Sequence, residues 1–127
     1  IRDYLINKMR PLIFSTALPP ISMAWSDFIL NKVLRMQQQR QHLAEISQYL
    51  QQAVIAKGFS SPSSSHIIPV IVGESQAAIE KARYVQQQGF YAMPVRPPTV
   101  PQNSSRLRIS LTSLVQKNEL QQLVEYL

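Results

Sequence analysis

The chain has no cysteine among its 127 residues, which excludes a disulfide framework, a thiolate nucleophile and a cysteine-held metal. Glycine is scarce. Gly58, Gly73 and Gly89 stand alone, so they read as chain stops, and no glycine-rich loop is available to cradle a phosphate. The two histidines, His42 and His66, have no carboxylate or cysteine partner at ligand spacing. Both read as structural, and no metal site is expected. No nucleophile–base pair stands out either. Long apolar runs are also missing: nothing approaches the ~20 residues that span a bilayer, and no signal-peptide pattern opens the chain. These absences fit a cytoplasmic protein with no membrane partner.

Acidic residues are few, seven against thirteen lysines and arginines, for a net charge of +6. Such a balance raises nucleic-acid binding as a reading. The distribution argues against it, because Lys8, Arg10, Lys32, Arg35, Arg40, Lys57, Lys81 and Arg83 are scattered singly or in pairs. Only a concentrated basic face supplies the phosphate-contact term, so no nucleic-acid partner is expected. With 45% hydrophobic and 16% charged residues, the composition is that of a globular domain able to bury its own core.

The apolar pattern predicts an opening helix with Ile1, Tyr4, Leu5 and Met9 on one stripe. Ile1 is not a methionine and the helix starts without a cap, so the chain reads as part of something longer. Pro11 discourages further helix, and Leu12, Ile13 and Phe14 read as a brief buried strand or loop. Pro19 and Pro20 suit a helix start, where a missing amide proton costs little. One long helix follows, through Trp25, Phe28, Ile29 and Leu30 and on through Leu43, Ile46, Leu50 and Val54 to Gly58. The serine-rich run 60–65 is a polar turn or exposed loop. "HIIPVIVG" is a β-branched strand in which Pro69 fits an edge. A helix with Ala78, Ala82 and Val85 inward ends at Gly89, "YAMPV" is a second strand, and "KNELQQLVEYL" a final helix. "RLRISLT" alternates strictly, Leu107, Ile109 and Leu111 against Arg106, Arg108, Ser110 and Thr112. The fold class expected is α+β, with helices packed on one small sheet.

Two constellations could carry chemistry. In "FSTALPP", Ser15 and Thr16 precede a proline-started helix, where hydroxyls and free amides suit a phosphate, although local capping is the commoner use. In "RPPTVPQNSSRLRISL", Pro97, Pro98 and Pro101 stiffen a loop, so Arg96 and Thr99 project from a rigid support. Arg106 and Arg108 point the same way from one strand. A guanidinium fork matches a carboxylate, whereas two arginines on a solvated sheet face are the ordinary alternative.

"YLINKMRPLIFSTALPP" and "GFYAMPVRPPTVPQNSSRLRISLT" together resemble the C-terminal part of the pyridoxal-phosphate-dependent α-oxoamine synthases, of the aspartate aminotransferase fold (fold type I). "RPPTVP" followed by "RLR" points to the alanine-using branch in biotin biosynthesis rather than its glycine- or serine-using relatives. The resemblance implies the end of the cofactor-binding large domain and the start of the interdomain helix over residues 1–34, and the small domain over 35–127. It implies that Ser15 and Thr16 reach the pyridoxal 5'-phosphate of the partner subunit in a homodimer. It implies substrate contacts for Arg96 and Thr99, with Arg108 holding the amino-acid carboxylate, and gives Arg106 no role. The implied reaction is a decarboxylative condensation of L-alanine with a pimeloyl thioester. In that family the lysine that binds the cofactor lies in a segment this chain does not contain, and Lys8, Lys32, Lys57, Lys81 and Lys117 lack its setting. The chain by itself is therefore expected to be inert. Alternatives are a free-standing binding or assembly module and a related synthase using another acyl thioester.

Overall fold

The computed structural model describes residues 1–13 and 16–127, and only the backbone of Leu12. The chain divides into two compact units, Ile1–Gln37 and Gln38–Leu127. The first carries helices α1 (Arg2–Lys8), α2 (Arg10–Ile13) and α3 (Pro20–Leu34). The second carries α4 (Gln37–Ala56, its first residue in the first unit), β1 (Ile67–Gly73), α5 (Ser75–Gln87), β2 (Met93–Val95), β3 (Ser105–Ser110) and α6 (Lys117–Glu125).

Two expectations for the first half need correction. Leu12 and Ile13 are helical in α2, and Ile13 is half exposed rather than buried. Pro11 occupies the second residue of that turn, where no amide proton is needed, so it opens a helix instead of stopping one. The extended residue is Met9, at φ −83° and ψ 98°, which ends α1. Phe14 lies outside the described residues. The single long helix is two helices: α3 closes at Arg35, whose N–H bonds the Lys32 carbonyl at 3.1 Å, and Met36 bonds the Val33 carbonyl at 3.0 Å. These tightened bonds finish one helix before the glutamine-rich run starts the next. Pro19 and Pro20 begin α3 as expected.

In the second unit β3 is the central strand, paired antiparallel with β1 on one side and β2 on the other. Both edge strands carry a proline, Pro69 opposite Arg108 and Pro94 opposite Leu107, where a missing donor costs no ladder bond if it faces outward. The alternation of β3 sends Leu107 and Ile109 inward and leaves Arg108 and Ser110 exposed. Three helices cover the inward face. Ile46, Leu50 and Val54 recur every fourth residue on α4, Ala78, Ala82 and Val85 come from α5, and Leu120 and Leu123 from α6. All join Ile68, Val70 and Leu107 in one core. The alanines let α5 lie close to the sheet.

α4 and α5 end in the same way. Gly58 and Gly89 both have φ +90°. The Phe59 and Phe90 amides reach back to the Val54 and Val85 carbonyls, each at 3.2 Å, and the glycine amides bond Ile55 and Gln86. This is the paired-bond helix ending that requires a left-handed residue, and it folds each phenylalanine back against the core. α6 starts with a reciprocal cap, in which the Gln116 N–H donates to the Glu119 carboxylate at 2.7 Å.

The first unit differs: α1 and α3 bury no side chain. Trp25, Phe28 and Leu30 are exposed on α3, with the Trp25 and Phe28 rings 5.7 Å apart.

Two outcomes are expected. Leu50 is fully buried, so Leu50→Ala should lower unfolding free energy by about 2–5 kcal/mol in urea denaturation. The exposed apolar face of α3 should bind a hydrophobic dye or drive concentration-dependent association, and Trp25→Ser with Phe28→Ser should reduce both. A chain that stays monomeric and dye-silent at high concentration would contradict the second expectation.

Candidate functional site

The loop between β2 and β3 is built by its own hydrogen bonds. The Thr99 N–H donates to the Arg96 carbonyl at 3.0 Å across Pro97 and Pro98, whose peptide bond is cis. The Pro101 carbonyl accepts both the Ser104 N–H, at 3.3 Å, and its hydroxyl, at 2.7 Å. Asn103 takes the left-handed conformation at φ 58°, which asparagine tolerates better than most residues. Arg106 Nε then donates to the Ser104 carbonyl at 3.0 Å. Gly73, at φ +100°, lies where β1 departs from its register opposite Ser105. A Cβ there would meet the Asn103 carbonyl oxygen at 3.7 Å. Conformation, more than space, calls for glycine at that point.

Arg96, Thr99 and Arg108 come together around one concavity of about 380 Å³, with Met93, Val95 and Pro98 beside them. Arg108 is held from β3 and its Nη2 lies 3.8 Å from the Met93 sulfur. On its other side a second concavity, of about 480 Å³, is lined by Pro62, Ser64, Pro69, Val95 and Arg106 together with Arg108. One guanidinium therefore serves both hollows on the open face of the sheet.

The charge around these arginines is one-sided. No aspartate or glutamate occurs between Glu80 and Glu119. Among the described residues, Arg96, Arg106 and Arg108 have no carboxylate partner, and the Thr99 hydroxyl makes no hydrogen bond. Uncompensated guanidinium forks on a stiff support suit an external carboxylate. Among the described residues neither hollow is lined by a lysine, histidine or acid, so what the arginines offer there is charge and orientation.

Ser15 lies outside the described residues. Thr16 is exposed and non-helical, ahead of the Pro19-capped start of α3, and belongs to the first unit. Among the described residues no group of histidine, cysteine, aspartate or glutamate could hold a metal ion, and no helix is long and apolar enough to cross a membrane. His42 ties α4 to the stretch before α6 through the Val115 carbonyl at 2.9 Å.

Sequence reasoning missed the wall opposite Arg106. The serine run, read only as a polar loop, is pinned from α4. Gln51 donates both amide hydrogens, to the Ser61 carbonyl at 2.8 Å and to the Ser63 carbonyl at 2.7 Å. The Ser63 hydroxyl donates to the Ile67 carbonyl at 2.6 Å. No local pattern around Gln51 distinguishes it from its neighbouring glutamines; the density of serines was the available signal.

Residues 1–127 match the aminotransferase class I and II family. The 8-amino-7-oxononanoate synthase of Haemophilus ducreyi is 50% identical over 125 residues, covering 98% of this chain and 32% of that protein. Among solved structures, the serine palmitoyltransferase of Sphingomonas wittichii matches with a TM-score of 0.83 at 26% identity, over 98% of this chain and 32% of that one. The 8-amino-7-oxononanoate synthase of Francisella tularensis matches with a TM-score of 0.81 at 24% identity, over 98% and 37%. The chain belongs to the aminotransferase class I and II family, with the α+β architecture of its fold type I enzymes. It spans about a third of the length of the curated relatives it matches.

Proposed function

We propose that this chain is the substrate-carboxylate-binding part of an 8-amino-7-oxononanoate synthase, which condenses L-alanine with a pimeloyl thioester and releases carbon dioxide. The observation that carries this reading is the gathering of Arg96, Thr99 and Arg108 around one hollow with no carboxylate beside them among the described residues. The 50% identity to a synthase of that name supports it.

Arg108 is the residue placed to hold the alanine carboxylate. Its backbone is fixed in the central strand, and its guanidinium sits between the two hollows. Arg96 and Thr99 leave the turn around Pro97 and Pro98 towards the same hollow. They supply a second charge and a hydroxyl for the same small anion. Together these groups orient the amino acid, so that freedom lost on binding is not lost again at the reacting step. They also offset negative charge without moving a proton.

Pyridoxal phosphate fits this role in part. Structures of serine palmitoyltransferase with the same fold contain it. When bound it supplies an electron sink for the carbanion the condensation requires. Thr16, with Ser15 beside it, is the candidate to meet its phosphate from a partner subunit of a homodimer. No lysine lines either hollow. Lys81 donates to the Leu127 carbonyl and Lys117 lies over the Tyr49 ring. The covalent anchor is therefore assigned to residues of the longer relatives that this chain does not span. Residues 1–34 would complete the cofactor domain and 35–127 would form the small domain, in a cytoplasmic enzyme.

Two tests follow from this reading. The 127-residue chain mixed with pyridoxal phosphate and then borohydride should show no stoichiometric adduct on a single lysine by mass spectrometry. A single-site adduct would overturn the assignment of the anchor. In a full-length protein carrying this segment, Arg108→Lys keeps the charge but loses the planar fork. Loss of such a charge-assisted bond costs about 1.5–3 kcal/mol, roughly one to two decades in alanine affinity or kcat/KM. Arg83→Lys, exposed on α5, is the control. Wild-type behaviour of Arg108→Lys in both steady-state kinetics and alanine titration would return Arg108 to an ordinary solvated face.

A further inference from the structure

We infer that the second hollow is the subsite for the acyl substrate, and that Arg106 anchors a carboxylate at the far end of that acyl chain. This inference rests on the reading above, in which Arg108 holds the amino-acid carboxylate, and it adds the specificity of the same open sheet face.

Three observations carry it. The first is the composition of the hollow. Pro62, Pro69 and Val95 give it apolar walls, while Arg106 and Arg108 are its charged groups. A solvated arginine needs no such walls. A saturated chain ending in an anion uses both, because methylene groups gain from leaving water while the terminal charge needs a partner when it is desolvated.

The second is the state of Arg106. It is only partly exposed, and its Nε is tied to the Ser104 carbonyl at 3.0 Å. That bond fixes the direction of the guanidinium and leaves its terminal nitrogens without a protein acceptor among the described residues. An oriented fork with unused donors is prepared for a ligand rather than for solvent.

The third is spacing. Arg106 and Arg108 stand two residues apart on one face of β3. At ~3.3 Å of rise per residue their Cα atoms are roughly 7 Å apart. Two anchors at that distance, with a shared hollow between the serine run and β2, suit a short linear molecule with a carboxylate at one end and its reacting group near Arg108. The opposite wall does not have to be ordered on binding, since Gln51 already holds the Ser61 and Ser63 carbonyls.

The test uses a full-length enzyme carrying this segment and two acyl thioesters of equal length. One ends in a free carboxylate and the other in the corresponding methyl ester. Arg106→Gln should raise KM for the carboxylate-ended substrate by about ten- to a hundredfold, and by less than about threefold for the ester. Alanine titration should be unchanged, and Arg106→Lys should recover part of the preference. Equal losses for both substrates, or no loss for either, would overturn the proposal. Ser64→Trp fills the hollow from the other wall and should raise KM for both acyl thioesters with alanine binding intact; unaltered KM values would likewise overturn it. Failure of the unmodified enzyme to use alanine with any acyl thioester would instead defeat the underlying synthase reading.

Discussion

The register of β3 is the constraint on which the rest depends. It is the central strand, paired on both sides, and its two faces differ completely: Leu107 and Ile109 enter the core while Arg106 and Arg108 face the hollows. A slip of one residue would exchange the faces, pushing two guanidiniums into the apolar interior and two large aliphatic side chains into water. Burying an unpaired charge costs far more than a single pairing bond returns. The hydrophobic core formed with α4, α5 and α6 therefore selects the register, and the register places the arginines. The geometry of the arginine face is set by packing on the opposite side of the sheet.

The loop that precedes β3 converts this placement into a site. A flexible connection would leave Arg96 and Thr99 to be ordered by the ligand, at the expense of affinity. Instead the loop carries three prolines, with a turn bond from Thr99 to Arg96 at one end and two bonds onto the Pro101 carbonyl at the other. Arg106 adds a bond back to Ser104. The loop is anchored to the same strand that carries Arg108, so the groups lining the hollow from both share one frame.

The sequence made the second unit largely legible because its signals are local and agree with one another. Strict alternation marked β3, β-branched residues marked β1, and Ala78, Ala82 and Val85 marked the inner side of α5. Gly58 and Gly89 marked helix ends that only a left-handed residue allows. The first half was harder for a physical reason. Pro11 and the Arg35–Met36 break are decided by which amide has a partner, and apolar periodicity does not report that. Prolines and strand spacing pointed to Arg96, Thr99, Arg106 and Arg108 on a stiff support without deciding against a solvated face, and the resemblance alone preferred Arg108 to Arg106. The serine wall was not legible, because Gln51 acts across ten residues and more of chain through carbonyls that every residue possesses.

The two units also divide the chemistry. The second has a closed core and presents polar, uncompensated groups on its open sheet face. The first buries no side chain of α1 or α3 and exposes Trp25, Phe28 and Leu30. A surface of that kind gains free energy by being covered, whereas a guanidinium hollow gains by remaining accessible until a carboxylate arrives. These two kinds of surface have opposite requirements, and each unit carries one of them. The arginine side is held by the central strand and its loop alone.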